Sequence, residues 1–111
     1  SKGSVKSSLE GKVYIGGLVG GNNNNIKNSY AVGKVIVTNG EVGFIGGLIG
    51  RLMGGGNVTS SYYDSITTEQ TDTGKGVGKI TSEMKQEATF VGWDFTNIWT
   101  IVEGSSYPTL N

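Results

Sequence analysis

Two segments of the chain are nearly identical. Ile15-Gly16-Gly17-Leu18-Val19-Gly20 returns without gaps as Ile45-Gly46-Gly47-Leu48-Ile49-Gly50, thirty residues later. Self-similarity at a fixed period of this length marks an array. Each unit is too small to bury its own apolar side chains, and stacking like units makes one continuous core. A second motif travels with the first. Ile26-Lys27-Asn28-Ser29-Tyr30 is echoed by Val58-Thr59-Ser60-Ser61-Tyr62, and more weakly upstream by Val5-Lys6-Ser7-Ser8-Leu9. Gly11-Lys12-Val13 and Gly33-Lys34-Val35 recur as well. The order is thus [V/I]-x-x-S-[Y/L], then GKV, then GGL[V/I]G, then a loop, about two and a half times over.

Composition says what such units can be made of. Twenty glycines against one proline, with little charge, many Asn, Ser and Thr, and scattered Val and Ile, suit short strands joined by tight turns. The glycines lack collagen's every-third spacing, and the low charge argues against simple disorder. The expected fold is all-β: a β-solenoid, like a parallel β-helix, of glycine-rich repeats. Glycines stand where neighbouring backbones crowd or φ is positive. Residues 22–25 and 51–57 are read as equivalent loops. Asn39-Gly40, between Val35-Ile36-Val37-Thr38 and Glu41-Val42-Gly43-Phe44, predicts a hairpin-like excursion from the second repeat. Since a two-residue hairpin demands antiparallel neighbours, the alternative is an antiparallel β-sandwich throughout.

Several function classes are disfavoured at once. Nine Lys+Arg balance nine Asp+Glu, so no net field draws nucleic acid or an anionic membrane. Histidine and cysteine are both absent, which removes thiol chemistry, histidine-based triads and the usual zinc sites. No apolar run is long enough to cross a bilayer as a helix. The opening residues already read as mid-repeat, which implies a piece of a longer chain.

These residues resemble the GLUG-motif family, named for a glycine, leucine, variable, glycine core. The matching positions are Gly17-Leu18-Val19-Gly20 and Gly47-Leu48-Ile49-Gly50, with companions Asn28-Ser29-Tyr30-Ala31-Val32-Gly33 and Ser60-Ser61-Tyr62-Tyr63-Asp64. Residues 89–108, with Trp93, Trp99, Tyr107 and Pro108, resemble the segment that closes such arrays. The resemblance implies an extracellular or cell-surface bacterial protein, such as an adhesin, in which the repeats act as stalk or display scaffold. It carries no catalytic residues over.

From Ser65 the repeat pattern fails, which divides the chain into repeats (residues 1–64) and a closing segment (residues 65–111) within one continuous domain. Residues 65–78 read as a polar loop. Thr81 is a plausible N-cap for one short helix, with Glu83 in its first turn and Ile80, Met84 and Ala88 on one stripe. Trp93, Phe95, Ile98, Trp99 and Ile101 then supply bulk to cap the open end of the array, where unpaired strand edges invite association.

Five constellations invite chemistry. Asp72-Thr73-Gly74 spells the aspartic-protease signature, yet its flanks are polar rather than the apolar strands a shared-proton dyad needs, so a turn is the better reading. Gly74-Lys75-Gly76-Val77-Gly78-Lys79 misses the phosphate-loop spacing, with Ile80 where Ser or Thr belongs, and reads as a flexible loop. Asp64, Glu69 and Asp72 are too sparse for a calcium loop of the EF type. Tyr62, Tyr63, Trp93 and Trp99 could form a platform for sugar rings, or fill the core and cap. Lys6, Lys12, Lys27 and Lys34 recur with the repeat and read as a solvated face guarding a strand edge.

No nucleophile–base pair or metal cluster can be assembled from this set, so no catalytic, cofactor or metal residue is assigned. The expectation is a non-catalytic structural or interaction module of a secreted or surface-anchored adhesin-like bacterial protein. Its partner would be a host or cell-surface protein or a glycan. The alternative is a carbohydrate-binding module that uses exposed aromatics.

Overall fold

The computed structural model describes residues 1–7, 14–37 and 44–111. It is all-β, with thirteen short strands among the described residues. They are β1 (Val5–Ser7), β2 (Tyr14–Gly16), β3 (Val19–Asn22), β4 (Asn25–Lys27), β5 (Tyr30–Ala31), β6 (Val35–Val37), β7 (Phe44–Gly46), β8 (Ile49–Leu52), β9 (Asn57–Thr59), β10 (Tyr62–Asp64), β11 (Val77–Lys79), β12 (Trp99–Thr100) and β13 (Thr109–Leu110). Among the described residues no strand exceeds four residues.

Pairing follows the repeat. β2 lies parallel to β7 with Ile15 opposite Ile45, and β3 lies parallel to β8 with Val19 opposite Ile49. β4 pairs with β9 and β5 with β10, again parallel, with Ile26 opposite Val58 and Tyr30 opposite Tyr62. The offset widens by two residues between these pairs because the turns differ in length. The upper copy crosses from β3 to β4 through Asn23 and Asn24, whereas the lower copy uses four residues, Met53 to Gly56. Only β12 and β13 pair antiparallel among the described residues, so antiparallel pairing throughout is not what joins these strands.

The turns are tighter than their composition suggests. Asn22, Asn25, Arg51, Leu52 and Asn57, all expected in the loops between repeat motifs, sit in strands. Asparagine side chains brace the upper turn: Asn22 Nδ2 donates to the Asn24 carbonyl (2.6 Å), and Asn24 Oδ1 accepts from the Asn25 amide (2.9 Å). In the lower turn Gly55 has φ +85°, the left-handed conformation that favours glycine. The Asn39-Gly40 hairpin falls outside the described residues.

The upstream echo was misaligned. Val5-Lys6-Ser7 lies parallel to Val35-Ile36-Val37, not in the place of Ile26. The informative match is Gly3-Ser4-Val5 with Gly33-Lys34-Val35, at the same thirty-residue spacing. The packing confirms it, because a Cβ on Gly33 would lie 1.9 Å from the Gly3 carbonyl oxygen.

Strand alternation divides the side chains between two cores. Ala31 and Tyr63 turn inward and bury with Leu48 and Ile49, flanked by Ile26, Leu52 and Val58. Tyr30 and Tyr62 turn to the opposite face, where the closing segment supplies Met84, Phe90 and Trp93. Those rings pack closely, with Tyr62 edge-on to Phe90 at 5.1 Å and Trp93 stacked on Trp99 at 4.4 Å. The aromatic segment therefore covers the flank of the tyrosine strands.

Two expectations about the closing segment are corrected. The one short helix is instead two 3-10 turns, Glu83–Lys85 and Glu87–Thr89, separated by an extended Gln86. A regular helix would put Ile80, Met84 and Ala88 on one buried stripe. Only Met84 is buried, and the break at Gln86 lets Phe90 reach the same cluster. Thr81 does not cap the turn; its hydroxyl donates to Asp64. The second correction concerns residues 65–78 and the glycine run after Asp72. Rather than staying a loop to its end, this segment delivers β11, which adds to β10 in parallel with Tyr62 opposite Val77.

Candidate functional site

The densest polar geometry lies where residues 64–79 meet the lower copy. Asp72 lies in an irregular stretch rather than on an apolar strand, and among the described residues no cluster of acidic side chains forms around it. Its Oδ1 accepts a hydrogen bond from the Gly47 amide (2.9 Å). Its Oδ2 is buried without a hydrogen-bond partner, and the Lys75 ammonium stands 3.7 Å away to balance the charge. Lys75 in turn donates to the carbonyls of Ile45 (3.0 Å) and Gly50 (2.8 Å). Among the described residues no pocket adjoins either group, and both close off backbone. Burial first, and the adjacent Asp72 charge second, push the Tyr63 hydroxyl up to about 12, so it stays protonated and donates to the Asp72 carbonyl.

Asp64 is a second hub, completely buried. Its Oδ1 accepts from the amides of Ile66 (2.9 Å) and Thr67 (3.0 Å) and from the Thr81 hydroxyl (3.0 Å). Its Oδ2 accepts from the Tyr107 hydroxyl (2.7 Å). Burial alone would raise the carboxyl, but the four donors outweigh it and hold Asp64 below the usual carboxylate range. Four donors on one carboxylate tie the last repeat strand to the loop after it and to the far end of the chain. A pattern of residue types carries no sign of such long-range partners.

The remaining candidates disperse. Glu69 pairs with Lys34 (3.4 Å), away from Asp64 and Asp72, and among the described residues no three acidic side chains converge on a point. Tyr62, Tyr63 and Trp93 are buried and Trp99 is half-buried, so these four make no open platform. Lys6 lies on β1 and Lys34 directly precedes its partner strand β6, whereas Lys27 ends β4 in another sheet, so the lysines do not share one face. Their spacing of 21 or 22 residues is not the structural period, and Lys12 lies outside the described residues. The exposed aromatics are others. Tyr14 and Phe44 face each other across β2 and β7, edge to face at 5.1 Å. The Arg51 guanidinium lies 4.4 Å from the Phe44 ring centre and donates to the Tyr14 hydroxyl (2.9 Å).

What the repeated glycines do is now visible. A Cβ on Gly16 would meet the Val19 carbonyl at 2.3 Å, and one on Gly50 would meet the Gly20 carbonyl at 2.5 Å and the Ile15 amide at 2.7 Å. The strand before the Gly-Gly turn and the strand after it are pressed backbone to backbone. None of the glycines in the two GGL[V/I]G copies has positive φ, so lack of a side chain, rather than backbone freedom, is what the motif requires. Residues 11–36 match the family model described as "The GLUG motif". The chain carries the GLUG motif. The match runs from before β2 to the middle of β6, and the register sets the second copy of the repeat, from β7 to β10, alongside it. The chain is also 43% identical, over 97% of its length, to a protein of Evansella cellulosilytica named "Putative Gly-rich membrane protein". It spans 14% of that relative's length. No solved structure matches the chain.

Proposed function

We propose that the chain is a β-solenoid module with a structural or interaction role, non-catalytic, within a larger secreted or surface-anchored bacterial protein of adhesin type. The observation that carries the reading is the parallel register of two GLUG units at a spacing of 30 to 32 residues. A stack of this kind builds length and presents side chains at fixed intervals, which suits a stalk or display scaffold. The polar residues best suited to chemistry are already committed. Asp64 accepts four hydrogen bonds, and Asp72 and Lys75 close strand ends. The membrane protein named among the relatives, of which this chain matches a small part, fits a location at the cell surface.

Antibody raised against the chain should label intact bacteria that carry the full-length protein, and protease added outside the cells should remove the signal. Labelling only after lysis would refute the surface assignment. A hydrolytic activity that copurifies with the folded chain and disappears in Asp72→Asn would refute the non-catalytic one.

Glycan binding is a second reading, favoured by one observation: Tyr14 and Phe44 display partly exposed rings beside a guanidinium. Aromatic faces suit sugar rings, and Arg51 suits a hydroxyl or carboxylate. Shifts of the Tyr14 and Phe44 ring resonances on adding oligosaccharides would support it. Unchanged spectra of the folded chain across a glycan panel would count against it.

A further inference from the structure

A stack of parallel strands has two outer edges, and each is a row of unpaired N–H and C=O groups that another chain can use as a template. The two edges of this stack are treated differently. On the side of β2, β3 and β4, the described residues include no strand above; the only strands paired to them are β7, β8 and β9 below. On the side of β7 and β8, side chains take the places that a further strand would fill. Asp72 accepts the Gly47 amide, and Lys75 donates to the carbonyls of Ile45 and Gly50. Gln70 Nε2 donates to the Val35 carbonyl (3.1 Å), while the Val35 amide donates to the Thr68 carbonyl (3.2 Å).

The two edges are also complementary by construction. The upper unit seats on the lower one with Tyr14 opposite Phe44, Ile15 opposite Ile45 and Val19 opposite Ile49. The lower edge of β7 and β8 belongs to a unit of nearly the same sequence, so it could receive the upper edge of β2 and β3 from another molecule in that register. Such a head-to-tail contact does not close on itself, and repetition gives a fibre.

We infer that Gln70, beside β6, and Asp72 and Lys75, beside β7 and β8, form an end-stop, a set of side chains that stands in for a missing strand and keeps a second copy of this chain from stacking beneath these strands. The inference rests on the solenoid reading and assigns its termination to three residues. The glycine-rich stretch around them lets the segment lie flat: a Cβ on Gly76 would already be 2.8 Å from Leu48 Cδ2. Lysine and aspartate suit the task because each satisfies backbone groups and leaves a charge that a neighbouring strand would have to desolvate.

The test uses the 111-residue chain and the variants Gln70→Ala, Asp72→Ala and Lys75→Ala, followed by sedimentation velocity over a concentration series and electron microscopy. The wild type should stay monomeric. Asp72→Ala and Lys75→Ala should keep the native far-ultraviolet spectrum and the buried-tryptophan emission, and form linear assemblies that lengthen with concentration. Wild-type chain added in small proportion should shorten them, because its free upper edge can join a fibre end while its own end-stop blocks further growth. Aggregates of unfolded chain would not be shortened. Folded variants that remain monomeric at every concentration overturn the inference, as do assemblies that ignore added wild type. If all three variants unfold, the residues are core rather than end-stop and the inference falls equally. Amide exchange separates this failure from that of the solenoid reading. Fast exchange at Gly47 beside protected amides in β7 and β8 would remove the end-stop alone, whereas fast exchange throughout would remove both.

Discussion

Replacing Gly47 by alanine tests the account of the motif most directly. An added Cβ would stand 2.2 Å from Tyr63 Cδ2, 2.5 Å from Cγ and 2.7 Å from Cε2. The obstacle is the base of a ring, not the end of a flexible chain. Tyr63 is 1% exposed, and its hydroxyl is engaged with the Asp72 carbonyl, so the ring has no free direction in which to move. Overpacking of this kind costs roughly 1–3 kcal/mol. Displacing the ring also strains or breaks its hydrogen bond, at about 1 kcal/mol. Against these, alanine loses less chain entropy than glycine on folding, a gain of about 0.4–1 kcal/mol. The crowding wins, and Gly47→Ala should destabilise by about 2–3 kcal/mol, lowering the melting temperature by about 8–24 °C at about 4–8 °C per kcal/mol. Gly54→Ala is the control. Its Cβ meets nothing within 4 Å and its φ is not positive, so only the entropy gain of about 0.4–1 kcal/mol remains. Urea unfolding followed by tryptophan emission reads both. If the two variants shifted the midpoint by the same amount, or if Gly47→Ala stayed within about 0.5 kcal/mol of wild type, close packing could not be the reason for the glycine.

Three further outcomes are expected. Asp64→Asn leaves one acceptor oxygen and one donor where four donors converge, and should cost about 3 kcal/mol at neutral pH. The folded carboxyl of Asp64 lies below its unfolded value of 3.8, so its contribution is complete above that pH and is lost as pH falls through the folded value. Acid titration of stability should be flatter in Asp64→Asn, and an unchanged acid limb would refute the assignment. Trp93→Phe keeps most of the ring packing but removes the Nε1 donor to the Ser60 carbonyl (2.8 Å), for a loss of about 1–2 kcal/mol in thermal unfolding. Ser60 itself sits at φ +46°, as its repeat equivalent Asn28 sits at +48°. Ser60→Asn should therefore be neutral or slightly stabilising, while Ser60→Val should cost at least about 1–2 kcal/mol; equal melting curves for the two would remove the strain argument.

Legibility in the sequence divides along a physical line. Where two copies of a motif must lie one on the other, each constrains the other, and the constraint is written twice. Ile15 over Ile45 and Tyr30 over Tyr62 were readable for that reason, as was the parallel sense of the pairing. The end of the stack has no second copy to be compared with. Asp72 and Lys75 close backbone groups on strands about 25 to 30 residues earlier, and nothing in their own neighbourhood announces it. Local pattern read this stretch as a turn and a flexible loop, whereas its end pairs with β10 as β11. The expected helix after Thr81 fails for the same reason. Four-residue spacing of Ile80, Met84 and Ala88 is a helix signal only if one face is buried along its length, and here a single position, Met84, meets the aromatic flank.

The glycine motif itself changes meaning between sequence and structure. Read as letters, Gly-Gly-Leu-x-Gly fits either positive φ or crowded neighbours. The structure selects crowding: Gly16 and Gly50 stand where strands meet backbone to backbone, and Gly47 stands where the Tyr63 ring fills the space, so the stack is thinnest there. Ordinary sheets face each other about 10 Å apart because side chains fill the gap. Removing them brings the carbonyls of one strand against the amides and Cα atoms of the next, and the unit can then be built from very few residues. The same thinness explains why the leucine of the motif does not have one fate. Leu48 is fully buried, with Gly76 drawn against it, whereas Leu18 is 41% exposed in the upper unit. A residue that packs beyond its own unit depends on what the array places next to it, and only the lower copy has the closing stretch beside it. Two identical motifs in one chain therefore differ in burial because their neighbours differ, which is the behaviour expected of a stack whose stability resides in interfaces between units rather than within them.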